Sequence, residues 1–387
     1  MTTAKRYEYV IVGSGSAGAT LARRLADAGA QVLLLEAGEP RHNHFWVRVP
    51  IGIAKIVPNK DYVWQFHTEP QQGLVGQQVY WPRGRLPGGS SSVNGMIFSR
   101  GDPVEFDRWE KLGNTGWGWD GVLPYFKRLE RCTVGDSATR GRAGPISITS
   151  LGEHPDVLSD AFIASCNAVG IPRTRDYNGG HGLYGGVSYL QLSTKRGERS
   201  STAAGYLDAS MPATLEFQTS AVATRVLFEG RRATGVEYEQ GGVTHTARAG
   251  SEVILAAGPI KSPQLLELSG IGDGSRLQAL GIRTVHHLPG VGENLSDHLQ
   301  SRITFEARNV TTLNELMSSR WRQYLLGAGY LMHRRGLMAT PSCTVHALAP
   351  SAPNEQRPDV KLQIHHLSSK DRLEVIKPGA GSGLDPF

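Results

Sequence analysis

The chain has 387 residues, enough for two domains of ordinary size (~100–200 residues each) and too many for a single small binding module. Hydrophobic residues make up 39% and charged residues 20%, with 47 Gly and 21 Pro, which describes a loop-rich globular protein and excludes a disordered or fibrous one. The formal charge is +6, but Lys and Arg are scattered, with no polybasic run or interleaved aromatics, so the basic balance reads as a solvated surface and no nucleic-acid partner is expected.

Cys132, Cys166 and Cys343 lie far apart without C-x-x-C spacing, which predicts reduced, buried thiols and neither a disulfide framework nor a metal site. No apolar run approaches the ~20 residues that span a bilayer. MTTAKRYEYV lacks a signal peptide's apolar core, so the expectation is a cytoplasmic protein, at most peripheral to the inner membrane.

Residues 9–12 form an apolar, β-rich run that ends at Gly13. Residues 17–28 then place Leu21 and Leu25 at helical spacing, with Ala22 small enough for close approach, and residues 31–35 form a second buried-strand run. The pattern is strand, glycine turn, helix, strand. Within it Gly13, Gly15 and Gly18 make G-x-G-x-x-G, which allows a tight turn, a backbone close to a pyrophosphate, and close packing of helix on strand. The helix N-terminus at Ser16 and Ala17 favours negative charge. Glu36, followed by Ala37, closes the second strand where a carboxylate can accept hydrogen bonds from ribose hydroxyls. This unit predicts a dinucleotide and does not distinguish NAD from FAD.

From residue 39 to 81 the periodicity fades, with Pro40, Pro50, Pro58 and Pro70 as punctuation and Pro82 just beyond. Tyr62, Trp64 and Phe66 alternate there as in a short half-buried strand, so the segment reads as an ordered excursion. GRLPGGSSSVNGMIFSRG (84–101) follows, and then a turn and short helix in GNTGWGWDGVLPYFKRLE. Residues 154–169 predict a helix with Val157, Leu158, Phe162 and Val169 on one side. Between residues 215 and 249, LEFQ, AVATRVLFEG, ATGVEYEQGG and VTHTARAG read as a β-meander. It leads into SEVILAAGPIKSPQLLELSGIG: a strand at 253–255, a small-residue turn at Ala256, Ala257 and Gly258, and a helix started by Pro263. A meander returning to the first sheet tips the reading toward flavin.

Several stretches together resemble the glucose-methanol-choline (GMC) oxidoreductase family, over residues 7 to 366. GPIKSPQLLELSGIG (258–272) matches the family's second signature at every constrained position. GRLPGGSSSVNGMIFSRG matches the first with one departure, Pro87 standing where an aliphatic residue is usual. TEPQ (68–71), WPRG (81–84), GWGWDGVLPYF (116–126), DYNG (176–179) and PGVGENLSDH (289–298) follow in family order. The choline-dehydrogenase-like branch is the one most resembled.

The resemblance implies an α/β fold, α+β overall: a Rossmann-like FAD-binding domain plus an incomplete substrate domain built on an antiparallel sheet. The expected division is 1–40 and 215–305 for FAD binding, 41–100 for a segment covering FAD, and 101–214 and 306–387 for substrate. It implies FAD with its pyrophosphate on Gly13, Gly15, Ser16, Ala17 and Gly18 and its adenosine ribose at Glu36 and Ala37. Gly88, Gly89, Ser90, Ser91, Asn94 and Gly95 would pass beside the flavin, Val222 would meet the adenine through its backbone, and Ala257, Gly258, Asn294 and Asp297 would lie near the cofactor. Some members attach FAD through a histidine just before the signature's asparagine; here that position is Val93, so a non-covalent flavin is expected.

The family's chemistry is oxidation of an alcohol, a histidine base taking the hydroxyl proton while hydride passes to flavin. The implied partners are a small-molecule alcohol and an electron acceptor, quinone-like or oxygen. The family's C-terminal H-P-x-G-T-like segment has no counterpart here, and KPGAGSGLDPF matches nothing in the family. Catalytic residues therefore stay unassigned, and the expectation is a truncated member whose exposed sheet edges favour association. His365 and His366 are adjacent in a strand-like LQIHHLSS (362–369), so their side chains should point to opposite faces. Two other readings remain open: cleavage of cyanohydrins with flavin as a structural element, and a catalytically silent flavin-binding fragment completed by another polypeptide.

Overall fold

A computed structural model describes residues 6–208 and 210–368; KPGAGSGLDPF and Ser369 lie outside the described residues. The elements that matter below are, in chain order, β1 (Arg6–Val12), α1 (Ser16–Asp27), β2 (Val32–Leu35), α2 (Val157–Ala168), β3 (Gly186–Tyr189), β4 (Leu215–Gln218) and β5 (Ala221–Glu229). They continue with β6 (Arg232–Gln240), β7 (Val243–Leu255), α3 (Gly258–Leu268), α4 (Arg320–His333), β8 (Cys343–Ala349) and β9 (Val360–His365). The chain forms two compact units. One takes the described residues of Met1–Val47, Lys55–Asn94 and Ser201–Ser301; the other takes those of Arg48–Ala54, Gly95–Ser200 and Arg302–Phe387.

The first unit is built on a six-stranded sheet in the order β4-β2-β1-β7-β6-β5. All four residues of β2 are buried, as expected of a parallel strand covered on both faces, and each leucine there contributes about 1.5–3 kcal/mol by leaving water. Helix α1 buries its small residues Gly18, Ala19, Ala22 and Ala26. Their size lets the helix axis approach the sheet closely.

The meander differs from its sequence reading in two ways. LEFQ, as β4, pairs in parallel with β2, at the opposite edge of the sheet from β5 and β6, because the fully apolar β2 needs a neighbour on each side. VTHTARAG and SEVIL are one thirteen-residue strand, β7. Its first half pairs antiparallel with β6 and its second half parallel with β1; Arg248 is the partner of both Gly235 and Arg6. Opposite the step from Tyr7 to Tyr9 the strand advances from Ala249 to Glu252, a bulge that absorbs Gly250 without ending the ladder. Helix α3 starts at Gly258, with Pro263 inside it, so the helix follows the strand more directly than the second proline suggested.

The second unit holds an antiparallel sheet in the order β9-β8-β3. Val187, Tyr189, Val345 and Ala347 of that sheet pack against Ile163 and Cys166 of α2. The buried stripe of α2 is Ser159, Ile163 and Cys166, whereas Val157 and Val169, read from the sequence as lying on one side with Leu158 and Phe162, are exposed. The cap sets this phase. Asp156 accepts from the Ser159 N–H (2.9 Å), and the Ser159 hydroxyl lies 2.6 Å from the Thr344 hydroxyl of β8, so Ser159 must face inward. The three cysteines are free and buried, and burial pushes the Cys343 thiol up to about 12.

DYNG finds its physical reason in this unit. Asp176 accepts from Arg140 (2.7 Å) and from the Gln191 amide (2.8 Å); Arg140 also donates to Glu130 (2.8 Å), which takes a further bond from Arg100 (2.7 Å). Two guanidinium groups thus neutralise two carboxylates away from water. Burial lowers the Arg100 pKa, whereas the Arg140 pKa, with a carboxylate on either side, is raised against the same burial. Removing one partner leaves uncompensated buried charge. Arg140→Met should lower the unfolding free energy by about 3–5 kcal/mol, read as a shift of the urea midpoint at constant slope.

Candidate cofactor site

The glycine turn at the end of β1 permits no side chain. At Gly13, where φ is +96°, an added Cβ would lie 2.6 Å from the Ala256 carbonyl oxygen, and at Gly18 it would fall 1.8 Å from the Gly13 carbonyl oxygen. Strand β1, helix α1 and the turn after β7 therefore meet backbone to backbone. Gly15 caps α1 in extended geometry with no side-chain bond, and the first turn carries no acidic residue. The leading N–H groups at Ser16, Ala17 and Gly18 lack intrahelical partners and present the positive end of a twelve-residue helix. That end suits a phosphate.

A second glycine loop closes on the first. The Gly88 N–H donates to the Ser14 carbonyl oxygen (3.0 Å), and an added Cβ at Gly89 would approach the Gly15 Cα to 2.9 Å. Ser90 Oγ accepts from the Gly84 N–H (3.1 Å), and the Ser91 hydroxyl donates to the Gly88 carbonyl (2.6 Å) and meets the Thr202 hydroxyl (2.9 Å). The Asn94 N–H donates to the Ser90 carbonyl (2.9 Å), and its side chain is exposed. Gly95 belongs to the second unit, beside Pro341.

Glu36 is buried at the end of β2. Its carboxylate accepts from the Ser14 N–H (3.0 Å), the Ser14 hydroxyl (2.6 Å) and the Gly38 N–H (2.9 Å). Burial raises its pKa, and those three donors together with the Arg85 charge act in the opposite direction. Ala37 lies half-buried in the same turn. The Ala221 N–H donates to the Glu36 carbonyl (2.8 Å), which sets Val222 of β5 directly beside this strand end. Ala257 and Gly258 form the N-terminus of α3, again without a side-chain cap.

Asn294 and Asp297 are exposed on a segment without regular structure. Asp297 accepts from the N–H of its neighbour His298 (2.8 Å), and among the described residues neither side chain bonds to the glycine cradle. Sequence reasoning missed Ser14 and Thr202, although a hydroxyl inside G-S-G was a readable signal. It also missed a pair of cations on one indole: the Arg85 guanidinium carbon and the Lys261 Nζ lie 4.5 and 4.4 Å from the Trp64 ring centre. Burial and Arg85 lower the Lys261 pKa.

Val93 is buried with Val47, Ile56, Tyr62, Val63 and Leu86. The position that could carry a covalent link is thus apolar and inside a core cluster. In the second unit the two adjacent histidines part as strand geometry requires. His365 is exposed, with Nδ1 3.3 Å from the Ser342 hydroxyl, while His366 is buried, with Nε2 3.2 Å from the Thr344 hydroxyl and 3.3 Å from Asp156. His346 is buried against Tyr177, ring centres 4.2 Å apart, with neither ring nitrogen hydrogen-bonded. Burial and Lys361 push its pKa down to about 3.

This geometry agrees with the comparisons. The model of the family "GMC oxidoreductase" matches residues 7–300. The chain belongs to that family. FAD is the cofactor that goes with it, and the double glycine cradle fits a dinucleotide. The chain is 39% identical over 372 residues to the mitochondrial choline dehydrogenase of Homo sapiens, covering 94% of this chain and 62% of that protein. It is 38% identical to the oxygen-dependent choline dehydrogenase of Vibrio vulnificus, covering 98% of this chain and 67% of the relative. A solved FAD-dependent oxidoreductase from Chaetomium thermophilum superposes with a TM-score of 0.80 at 29% identity, over 89% of this chain and 62% of its own. The chain therefore spans about two thirds of the length of the curated relatives it matches.

Two outcomes follow from these distances. Gly13→Ala and Gly18→Ala should purify with less than about a tenth of the wild-type flavin per protein, a loss of at least ~1.4 kcal/mol of affinity. Gly73→Ala, whose added Cβ would meet nothing, should keep it; the ratio of flavin to protein absorbance decides. Asp156 is desolvated, which raises its pKa, but hydrogen bonds from His366 and Ser159 hold it at about 2. Because the folded value lies below the ordinary 3.8, its stabilisation is present above that pH and is lost as pH falls through about 2. Asp156→Asn should therefore flatten the loss of stability between about pH 4 and 2 in acid titrations followed by circular dichroism.

Proposed function

We propose that this chain holds FAD non-covalently for the oxidation of an alcohol CH–OH group, with electrons leaving to an acceptor other than NAD. The observation that carries this reading is the meeting of Gly13, Gly15 and Gly18 with Gly88 and Gly89, backbone against backbone, beside the buried carboxylate of Glu36. Gly15, Ser16, Ala17 and Gly18 would face the pyrophosphate with their N–H groups, and Glu36 and Ala37 the adenosine ribose. Ser90, Ser91, Asn94 and Gly95 would follow the flavin, with Val222, Ala257, Gly258, Asn294 and Asp297 around the rest of the cofactor. Bound FAD supplies the hydride acceptor that no side chain can provide.

The residues divide the work. The first unit, with 1–40 and 215–305 as its cofactor-binding part and 41–100 as a cover, would hold and orient FAD; 101–214 and 306–387 would present the substrate. Oxygen or a quinone-like carrier would take the electrons, and the relatives called oxygen-dependent choline dehydrogenases support the first of these. A neutral side chain near pH 7 must accept the hydroxyl proton. His346 is buried with a depressed pKa, so it does not serve. We assign that role to a histidine outside these 387 residues, in the part of the relatives that this chain does not match.

Acid precipitation should leave the yellow pigment in the supernatant; pigment retained in the pellet would refute the non-covalent assignment. The purified chain should stay oxidised on anaerobic addition of alcohols. Bleaching should appear when it is co-expressed with a polypeptide matching the unmatched last third of the Vibrio vulnificus relative. Fast bleaching by the chain alone would place the base within it. Cyanohydrin cleavage with the spectrum unchanged would favour the lyase reading instead.

A further inference from the structure

The hairpin of Val63–His67 and Tyr80–Gly84 stands at the rim of the glycine cradle. A methyl group at Gly84 would overlap the Gly89 carbonyl, and one at Gly38 would overlap the Arg85 carbonyl. The foot of the hairpin is thus held backbone to backbone on the second glycine loop and on the turn that follows β2. Trp64 and Phe66 share one face of the hairpin, their ring centres 6.3 Å apart and their planes nearly parallel. Lys261, in the first turn of α3, places its Nζ 4.4 Å from the Trp64 ring centre and 5.7 Å from that of Phe66. The Arg85 guanidinium carbon lies 4.5 Å from the centre of the same indole.

The sheet order sets where this contact runs. Arg85 lies beside the turn at the end of β2, Lys261 follows the end of β7, and β1, which carries the glycine turn, is the strand between them. Two strand spacings separate β2 from β7, about 9–10 Å, a span that an indole covers when a cation meets it from each strand end. Trp64 therefore joins the two neighbours of β1 at the carboxyl end of the sheet, where open α/β sheets take their ligands.

The contact is also of a kind that can open. Trp64, Phe66, Arg85 and Lys261 are all half-buried. Among the described residues neither cation forms an ion pair; Lys261 donates to the Gln264 side chain (2.8 Å), and Arg85 Nε is buried without a hydrogen-bond partner. The charge of Arg85 opposes that of Lys261. Cation–π attraction holds the three groups together, and at half-buried positions it is weak enough to be broken and remade.

We propose that Trp64, held by Lys261 and Arg85, is a strap across the mouth of the dinucleotide cradle, opening to let FAD pass and closing again behind it. The inference rests on the cradle holding FAD, and it adds a kinetic role for residues outside the glycine loops. The strap sets how fast the cofactor exchanges, and the cradle beneath sets the affinity. Breaking the strap lowers the barrier to entry and exit alike, whereas removing a contact with the cofactor speeds exit alone.

Mixing the FAD-loaded chain with excess radiolabelled FAD reads the exchange rate, and diluting it in steps, with flavin fluorescence reporting release, reads Kd. Lys261→Gln should exchange about tenfold faster, with Kd within about twofold of wild type. Trp64→Leu should do the same, and Lys261→Arg, which keeps a cation over the indole, should exchange at the wild-type rate. Exchange by Lys261→Gln within about twofold of wild type would overturn the strap. So would a Kd weakened in step with faster exchange, which assigns Lys261 to a direct contact with the cofactor. A wild-type chain that takes up no flavin would overturn the reading of the cradle and the strap with it, a result distinct from flavin uptake at unchanged rates.

Discussion

The first unit depends on one close approach: the contact of α1 with the end of β1 at Gly18 and Gly13. A methyl group at Gly18 would overlap the Gly13 carbonyl, and one at Gly13 would overlap the Ala256 carbonyl. Three chain segments, separated by more than two hundred residues at their extremes, are held at backbone distance by the absence of two side chains. The same absence leaves the first N–H groups of α1 uncovered and aimed at the space beyond Gly15. Close packing and the uncovered helix start thus come from the same residues, and a substitution that disturbs one disturbs the other.

Glu36 extends that constraint to the neighbouring strand. A buried carboxylate is unfavourable unless its oxygens are satisfied, and here Ser14 and Gly38 satisfy them. Ser14 lies between Gly13 and Gly15, and its carbonyl oxygen in turn accepts from Gly88. A chain of bonds therefore runs from the second glycine loop through Ser14 to the end of β2.

Much of this was legible in the sequence because it follows from local rules. G-x-G-x-x-G between an apolar strand and a helix with small residues at 18, 19, 22 and 26 admits few packings, and the resemblance of GGSSSVN and GPIKSPQLLELSGIG to family signatures located the second loop and α3. What escaped was set by partners distant in sequence. In α2 a hydroxyl, Ser159, bonded to Asp156 and facing Thr344, fixes the helix phase, so that of the four apolar residues read on one side Phe162 packs inward while Val157 and Val169 are exposed. LEFQ went to the far edge because β2 lacked a neighbour there. Gly250 read as a strand break, and the bulge opposite Tyr7 and Tyr9 shows how the ladder passes it. Trp64 between Arg85 and Lys261 joins residues about two hundred positions apart, which no periodicity reveals.

The contrast between the two units is chemical as well as topological. In the first, the leading N–H groups of α1 are left without intrahelical partners, as a phosphate would require. In the second, buried charges pair with one another: Arg100 and Arg140 with Glu130 and Asp176, and His366 with Asp156 and Thr344. A general base must be neutral and free to take a proton near neutral pH. A histidine buried without a hydrogen-bond partner, like His346, resists protonation because the cation would be stranded in an apolar site. Burial that makes His346 a good structural element makes it a poor proton acceptor.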